Sequence, residues 1–221
     1  MSFPQKVRSA LWAIVDTMAC NTARFVKNPG KDFTRDRKLG FVQLIHFFLC
    51  MGSGCISHEL LKYFYFLPDE VPTASAFIQQ RAKLLPETFR HILGQFNLRF
   101  PAKRLMGKYS LIAADGCEFN IARNPQDPST FHSTSGRSNK GFNSLHTVSL
   151  YDLLSRRYLD VVIQPGRLKN EFAALCRMID RYIYGGFPVF VADRGFASYN
   201  VFAHALEKGS FFAIRTKDVN I

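Results

Sequence analysis

Two short apolar runs in the second half of the chain each end in an aspartate, and they constrain the fold more than any other feature. Residues 111–114 lead into Asp115, and residues 187–192 lead into Asp193. Apolar runs of about four to six residues followed by a glycine-containing turn are typical of buried strands. A carboxylate at the end of such a strand is costly to bury unless it is paired or binds a metal. The runs therefore predict two strands that carry a metal-dependent site at their ends.

The charge of the chain is strongly basic and unevenly distributed. Lysine and arginine number 29 against 17 aspartates and glutamates, so the formal net charge is +12. Residues 1–110 hold 16 basic against 7 acidic side chains, and the remaining residues hold 13 against 10. A large basic excess concentrated in one part of a chain favours a nucleic-acid partner over general solubility charge. Double-stranded DNA is the partner that we expect.

The cysteines and the apolar segments argue against several other classes of protein. Five cysteines are scattered without a CxxC pair, which predicts reduced, mostly buried thiols and no zinc site. The longest apolar stretch, residues 41–51, is too short to cross a bilayer. It also lies too far into the chain to be a signal peptide. The sequence therefore predicts a cytoplasmic protein without a membrane partner.

Helical periodicity dominates the first hundred residues, and we predict an all-helical DNA-binding domain over residues 1–100. The predicted helix N-caps are Thr34, Ser57 and either Thr73 or Ser75. Two helices within residues 57–85 give a helix–turn–helix layout, and the second helix and its end carry Arg81 and Lys83. These side chains suit contacts with DNA bases and phosphates. A helical bundle with a solvated polar face explains the same pattern, so this assignment stays open.

The periodicity changes at Tyr109, where we predict a second domain over residues 109–221. Its elements follow in the order β-β-β-α-β-α-β, an α/β mixed sheet, with the polar segment 118–143 as a long loop between the first two strands. This is the element order of a ribonuclease H-like fold, in which the first strand lies beside the fourth. The order predicts an antiparallel meander followed by parallel crossovers.

Two pairs of side chains in this domain are candidates for a DNA-processing site. Asp115 follows the first strand and Asp193 follows the fourth, so both carboxylates would meet at one edge of the sheet. Either aspartate alone is explained as a turn residue, but their joint placement favours a site. Arg137 and Lys140 lie on the long loop, where they either grip phosphates or are simply solvated.

Several short motifs, taken in order, resemble those of one enzyme family. They are Ala114-Asp115-Gly116, Leu145-His146-Thr147-Val148, Arg167-Leu168-Lys169-Asn170-Glu171 and Ala192-Asp193-Arg194-Gly195-Phe196. Their order and spacing resemble bacterial insertion-sequence transposases of the DDE type, in the group with a Tyr-Arg-Glu-Lys signature. The resemblance extends to residues 37–41 and 76–83, and it covers nearly the whole chain.

The resemblance implies both a chemistry and its ligands. The two aspartates of the family match Asp115 and Asp193, which would hold Mg²⁺ or Mn²⁺ for DNA cleavage and strand transfer. The third carboxylate of the family, the signature glutamate, lies beyond the last strand. This sequence ends at Ile221 before such a motif, so we expect a fragment that lacks part of its catalytic domain and is inactive alone. The family also implies terminal inverted repeats and target DNA as substrates, and a homodimer in the complete transposition complex.

Two other functions fit the same residues. One is a catalytically inactive DNA-binding remnant that inhibits a full-length transposase by forming mixed complexes. The other is a compact ribonuclease H-like nuclease that completes its metal site with Glu171, at the start of the first crossover helix. Metal-dependent DNA cleavage distinguishes the transposase and the nuclease from the remnant.

Overall fold

The computed structural model describes residues 1–67, 69–134 and 140–215, and the chain divides into two compact units. The first unit is Met1–Arg99 and the second is Phe100–Ile221. In these described residues, no helix is both long and apolar enough to cross a membrane. All five cysteines are free thiols, but four of them are exposed, so the expectation that most are buried is wrong.

The first unit is helical, apart from one isolated β-bridge in its described residues. Its helices are α1 (Phe3–Ala19), α2 (Phe41–Cys50), α3 (Ile56–Tyr63), α4 (Ala74–Arg81) and α5 (Glu87–Arg99), and a short 3₁₀ helix spans Thr22–Phe25. Their apolar faces share one core, in which Val15, Leu44 and Phe47 are fully buried. Full burial of a large apolar side chain contributes about 1.5–3 kcal/mol. The core therefore stabilises a bundle of helices.

The predicted N-cap residue precedes the helix at α4 but not at α2. At α4, the Thr73 hydroxyl accepts a hydrogen bond from the backbone N–H of Ala76 at 3.1 Å, as expected of an N-cap. Thr34 instead donates its hydroxyl to the backbone carbonyl of Lys31 at 3.1 Å, and α2 begins only after Gly40. The predicted helix start at Thr34 is wrong because that side chain closes an upstream turn.

The helices α3 and α4 do not form a compact helix–turn–helix. Their connection, residues 64–73, is much longer than the turn of about three to four residues in that motif. Gln80 of α4 is 8% exposed and accepts a hydrogen bond from the Lys83 ammonium at 2.9 Å. The two helices belong to the bundle, and DNA contact by α4 stays a prediction.

A buried glutamate fixes the turn between α2 and α3. Glu59 is 6% exposed, and its carboxylate oxygens accept hydrogen bonds from the backbone N–H groups of Gly52 and Gly54, each at 2.9 Å. These two bonds hold the pKa of Glu59 below its ordinary value because they stabilise the charged form. A β-carbon on Gly54 would lie 2.6 Å from Glu59 Oε1, so a larger residue there would displace the carboxylate from these bonds.

Replacing Glu59 with glutamine will make the stability of the first unit less sensitive to acid. Because the folded pKa lies below the ordinary value of 4.5, the charged carboxylate stabilises the fold above that pH. This contribution is lost as the pH falls through the folded pKa. Urea unfolding midpoints of wild type and Glu59→Gln should therefore differ most at neutral pH and converge on acidification. A difference that stays constant with pH would contradict this role for Glu59.

The second unit is built on a mixed sheet. Its described strands are β1 (Tyr109–Ile121), β2 (Phe131–His132), β3 (Phe142–Asp152), β4 (Arg157–Pro165), β5 (Phe187–Ala192) and β6 (Phe211–Ile214), with helices α6 (Glu171–Asp180) and α7 (Tyr199–Glu207). The strand order is β2-β3-β1-β5-β6, with β4 also pairing with β3. The pairs β1–β3, β2–β3 and β3–β4 are antiparallel, whereas β1–β5 and β5–β6 are parallel. The predicted α/β class is confirmed, and β1 lies directly beside β5.

Both crossover helices pack on one face of this sheet. The core joins Ile112 and Phe190 from the strands to Leu175 of α6 and Val201 of α7, all four fully buried. Successive side chains along a strand point to opposite faces. The odd-numbered residues of β1, including Asp115, therefore lie on the face that α6 and α7 leave open.

The polar segment 118–143, predicted as one long loop, is partly strand. β1 continues past Asp115 to Ile121 and pairs with β3 as far as Asn143, and β2 lies within the same segment. Backbone pairing of this kind needs no apolar side chains, and the hairpin runs beyond the core, where Phe119 is 53% exposed. The observed order of the described elements is β-β-β-β-α-β-α-β. Asp115 consequently lies within β1 and not at its end.

Candidate active site

Asp115 lies where β1 leaves the packed core. Its neighbour Ala114 is buried, whereas Asp115 is exposed and stands opposite Ser149 of β3 in the antiparallel register. Asp115 Oδ1 accepts a hydrogen bond from the backbone N–H of Gly116 at 2.8 Å. This bond orients the carboxylate while leaving it accessible from solvent.

Asp193 directly follows β5 and begins a short 3₁₀ helix, Arg194–Phe196. Its Oδ1 accepts a hydrogen bond from the backbone N–H of Gly195 at 2.8 Å. A β-carbon on Gly195 would lie 2.9 Å from the same oxygen, so glycine permits this tight turn. The turn holds a second exposed carboxylate at the carboxyl end of β5.

The two aspartates occupy equivalent positions on neighbouring parallel strands. Ala114 and Ala192 form the last register pair between β1 and β5, and each aspartate is the next residue. Paired strands lie about 4.8 Å apart, so the two carboxylates project from adjacent points of one edge. Within residues 1–67, 69–134 and 140–215, neither carboxylate has a basic side chain within salt-bridge distance. Two adjacent negative charges without a basic partner repel each other unless a cation binds.

The donor set at this edge suits a hard divalent cation. Mg²⁺ prefers oxygen ligands and keeps several of its waters, so one or two carboxylates are enough to hold it. Asp115 and Asp193 supply such oxygens, and each carboxylate is already oriented by a backbone N–H. Among the described residues, no group of three or more histidine, cysteine, aspartate and glutamate side chains could hold a metal. The site seen here is therefore a pair of carboxylates.

Glu171, the alternative third ligand, lies on the other face of the sheet. Its Oε1 is 2.9 Å from Nε2 of His146, a side chain that is buried. A β-carbon on Gly116 would meet Glu171 Oε1 at 2.6 Å, which places the glutamate over the face of β1 that α6 covers. Asp115 projects from the opposite face. The structure thus places Glu171 in close contact with His146 and separates its carboxylate from that of Asp115.

Comparison with known families agrees with this geometry. The sequence matches the family described as "Transposase DDE domain" over residues 106–219, which is more than half of the chain. The chain belongs to the DDE transposase family. The matched DDE domain begins just before β1, and it includes all six described strands, both crossover helices and both aspartates.

A solved structure offers a more distant comparison. The chain is similar to a chain of the "Drosophila P element transposase strand transfer complex", with 10% sequence identity and a TM-score of 0.37. The similarity covers 96% of this chain and 48% of the other, so this chain spans about half the length of that transposase chain. A TM-score of this size does not establish a common fold. No curated protein matches the chain significantly.

The DDE domain also contains a polar network that sequence reasoning missed. The Ser144 hydroxyl donates a hydrogen bond to Glu118 Oε1 at 2.8 Å and lies 2.8 Å from Nε2 of His132. The bond from Ser144 is the main reason that the pKa of Glu118 is lowered. These three residues come from β1, β2 and β3, and no spacing in the sequence brings them together. Glu118, expected on a loop, lies within β1.

Lys140, one of the two basic residues predicted on the long loop, is remote from the aspartates. Lys140 is exposed, and its backbone carbonyl accepts a hydrogen bond from the Arg123 guanidinium at 2.9 Å. The β1–β3 ladder runs from Asp115 to Ile121 before reaching this loop, a distance of about 20 Å at roughly 3.4 Å per residue. Arg137 lies outside the described residues. Phosphate contact by Lys140 and Arg137 stays a prediction.

The two DNA-binding residues predicted in the first unit have different surroundings. Arg81, the last residue of α4, is exposed, and its guanidinium lies 5.8 Å from the ring centroid of Phe77. Lys83 donates to Gln80, and its ammonium lies 5.5 Å from the ring centroid of Phe33. Lys83 is therefore held beside the loop that precedes α2.

Proposed function

We propose that this member of the DDE transposase family is an insertion-sequence transposase of the Tyr-Arg-Glu-Lys group, or an N-terminal fragment of one, which binds transposon-end DNA and, when complete, cleaves and transfers its strands in a Mg²⁺-dependent reaction. The observation that carries the proposal is the pair Asp115 and Asp193, side by side on adjacent parallel strands without a basic partner among the described residues. A ribonuclease H-like assignment of the second unit is supported by the pairing of β1 with β5 and by the two parallel crossovers.

The residues of the chain have defined tasks in this proposal. Asp115 and Asp193 would hold the metal through carboxylate oxygens on the open face of the sheet. When bound there, Mg²⁺ supplies activation of the attacking hydroxyl and charge stabilisation for the leaving oxygen of a phosphodiester. The N–H groups of Gly116 and Gly195 each fix one carboxylate oxygen, so the carboxylates need not reorient on binding.

The first unit would supply part of the DNA affinity, since its residues 1–99 hold 13 basic against 7 acidic side chains. Arg81 and Lys83 are the contacts predicted there, and Arg137 and Lys140 are those predicted in the second unit. The substrates would be terminal inverted repeats and target DNA, held in a homodimeric complex.

Metal binding by the two aspartates can be tested without any activity assay. Mn²⁺ should raise the thermal unfolding midpoint of the wild-type chain, because an ion that binds only the folded state stabilises it by mass action. Asp193→Asn should not respond to Mn²⁺, and in EDTA it should be at least as stable as wild type, since one of two adjacent negative charges is gone. Asp180→Asn is the matched control, because Asp180 lies on α6 and contacts His204 at 2.8 Å. An equal Mn²⁺ response in wild type and Asp193→Asn would contradict the assignment.

A second candidate function is DNA binding without cleavage. It is favoured by one observation, that the described residues contain no group of three metal-binding side chains. A complete protein that binds DNA and Mn²⁺ but does not nick DNA would support this candidate over the transposase.

A further inference from the structure

A cleft in the first unit is lined by four basic side chains. Its volume is about 420 Å³, and Lys31, Arg35, Arg37 and Lys83 line it together with Gln80. None of the described residues that line it is acidic. A second cleft of about 420 Å³ shares Arg37 and Gln80 with the first. The groove therefore continues along the start of α4.

The loop that carries these cations is tied to the end of α4. Val26 and Leu84 form an antiparallel bridge, and the backbone N–H of Lys27 donates to the carbonyl of Lys83 at 2.8 Å. Within the loop, Asp32 Oδ2 accepts a hydrogen bond from the backbone N–H of Asn28 at 2.9 Å. These bonds order the cleft before any ligand binds, which lowers the entropy cost of binding.

The aromatic ring of Phe33 forms part of the wall of the cleft. Phe33 makes an edge-on contact with Phe41 of the core, at 5.7 Å between ring centroids. The Lys83 ammonium lies 5.5 Å from the Phe33 ring centroid on the cleft side. Phe33 adopts a left-handed backbone with φ of 59°, a conformation that costs a non-glycine residue free energy. The surrounding contacts hold the loop in this shape.

The charges in the cleft are not neutralised by the protein. Among the described residues, no carboxylate lies within salt-bridge distance of the four cations. The acidic residues of the loop are Asp32, which is bound to Asn28, and Asp36, which is exposed, and neither lines the cleft. Converging like charges in a concave surface raise the local positive potential and attract anions.

We propose that this cleft binds the phosphodiester backbone of double-stranded DNA, with Lys31, Arg35 and Arg37 as contacts in addition to Lys83. The inference rests on the proposed function, because it locates DNA binding within the first unit. Gln80, the one amide side chain among the described residues that line this cleft, is 8% exposed and engaged by Lys83. The cleft therefore holds phosphates without reading sequence. Arg81, at the end of α4, does not line it.

The test is DNA binding by the full chain, measured by fluorescence anisotropy on two duplexes of unrelated sequence over a range of salt concentrations. The Arg35→Ala/Arg37→Ala variant should lose roughly tenfold in affinity for each cation removed, equally for both duplexes. The slope of log K against log salt should fall by about 0.9 for each lost phosphate contact. The Lys6→Ala/Arg90→Ala variant removes the same charge from exposed positions of α1 and α5 outside the cleft. It should lose much less affinity.

Each outcome separates this inference from the proposed function. If wild type does not bind either duplex, the proposed function itself fails. If wild type binds but Arg35→Ala/Arg37→Ala loses no more affinity than the control variant, the cleft does not bind DNA and the proposed function stands. A loss confined to one duplex would also overturn phosphate binding. Arg35→Lys/Arg37→Lys should retain most of the affinity and the full salt slope, and unchanged circular dichroism of each variant excludes misfolding as the cause of a loss.

Discussion

In the complete transposase, replacing Asp115 with asparagine will abolish Mn²⁺-dependent nicking of DNA while leaving DNA binding unchanged. The variant keeps the size of the side chain and an oxygen that can accept the N–H of Gly116, but it removes the negative charge that holds the metal. Metal activation stabilises the transition state by several kcal/mol, and about 1.4 kcal/mol corresponds to a factor of ten. The expected loss of rate is therefore at least about a thousandfold, measured as conversion of supercoiled plasmid to the nicked form.

Three further variants show whether the loss of nicking is specific to the carboxylate pair. Asp193→Asn should fail in the same way, whereas Asp180→Asn on α6 should nick at the wild-type rate. Glu171→Gln should also retain nicking, because Glu171 lies on the α6 face and contacts His146. If Glu171→Gln lost nicking but retained DNA binding, the compact nuclease would be the better interpretation. Wild-type nicking by Asp115→Asn would show that the carboxylate pair is not the active site.

The elements that could be predicted are those whose apolar residues in the sequence are the ones buried in the core. The run 187–192 is buried at Phe190 and forms β5, and α6 begins after Asn170, whose side chain accepts a hydrogen bond from the N–H of Ala173 at 3.0 Å. Segment 118–143 could not be predicted in the same way, because its strands extend beyond the core. Their pairing is held by backbone hydrogen bonds, which carry no signature in side-chain polarity.

The same distinction explains which candidate site residues the sequence could predict. Asp115 and Asp193 were predicted because each follows an apolar run, and adjacency of parallel strand ends is a property of the predicted topology. The contact of Glu118 with Ser144 depends on the register of a long hairpin. The convergence of Lys31 with Lys83 likewise depends on how the loop before α2 packs. Neither could be read from spacing along the chain.

Replacing Gly166 with alanine will destabilise the second unit by about 1–3 kcal/mol, the usual cost of overpacking. Gly166 is buried just after β4, and a β-carbon there would lie 2.1 Å from Ser144 Oγ and 2.8 Å from the backbone carbonyl oxygen of Ser144. The hydroxyl can rotate away only by breaking its bond to Glu118. The carbonyl belongs to β3, where Ser144 stands opposite Asn120, so it cannot move without distorting the ladder.

Gly94→Ala is the matched control for this prediction, because the same change meets no atom within 4 Å at a position inside α5. Alanine should stabilise that helix by about 0.5–1 kcal/mol. Trp12 is the single tryptophan, so its fluorescence reports on unfolding of the first unit. Gly94→Ala should therefore shift the urea midpoint followed by fluorescence. Gly166→Ala should shift the urea midpoint followed by circular dichroism. Adding Ser144→Ala to Gly166→Ala removes the hydroxyl contact but not the carbonyl contact, and should restore only part of the lost stability. Full restoration of stability in the double variant would mean that the backbone of β3 can shift to accept the β-carbon. An unfolding midpoint of Gly166→Ala equal to that of wild type would mean that Gly166 and Ser144 are not in contact.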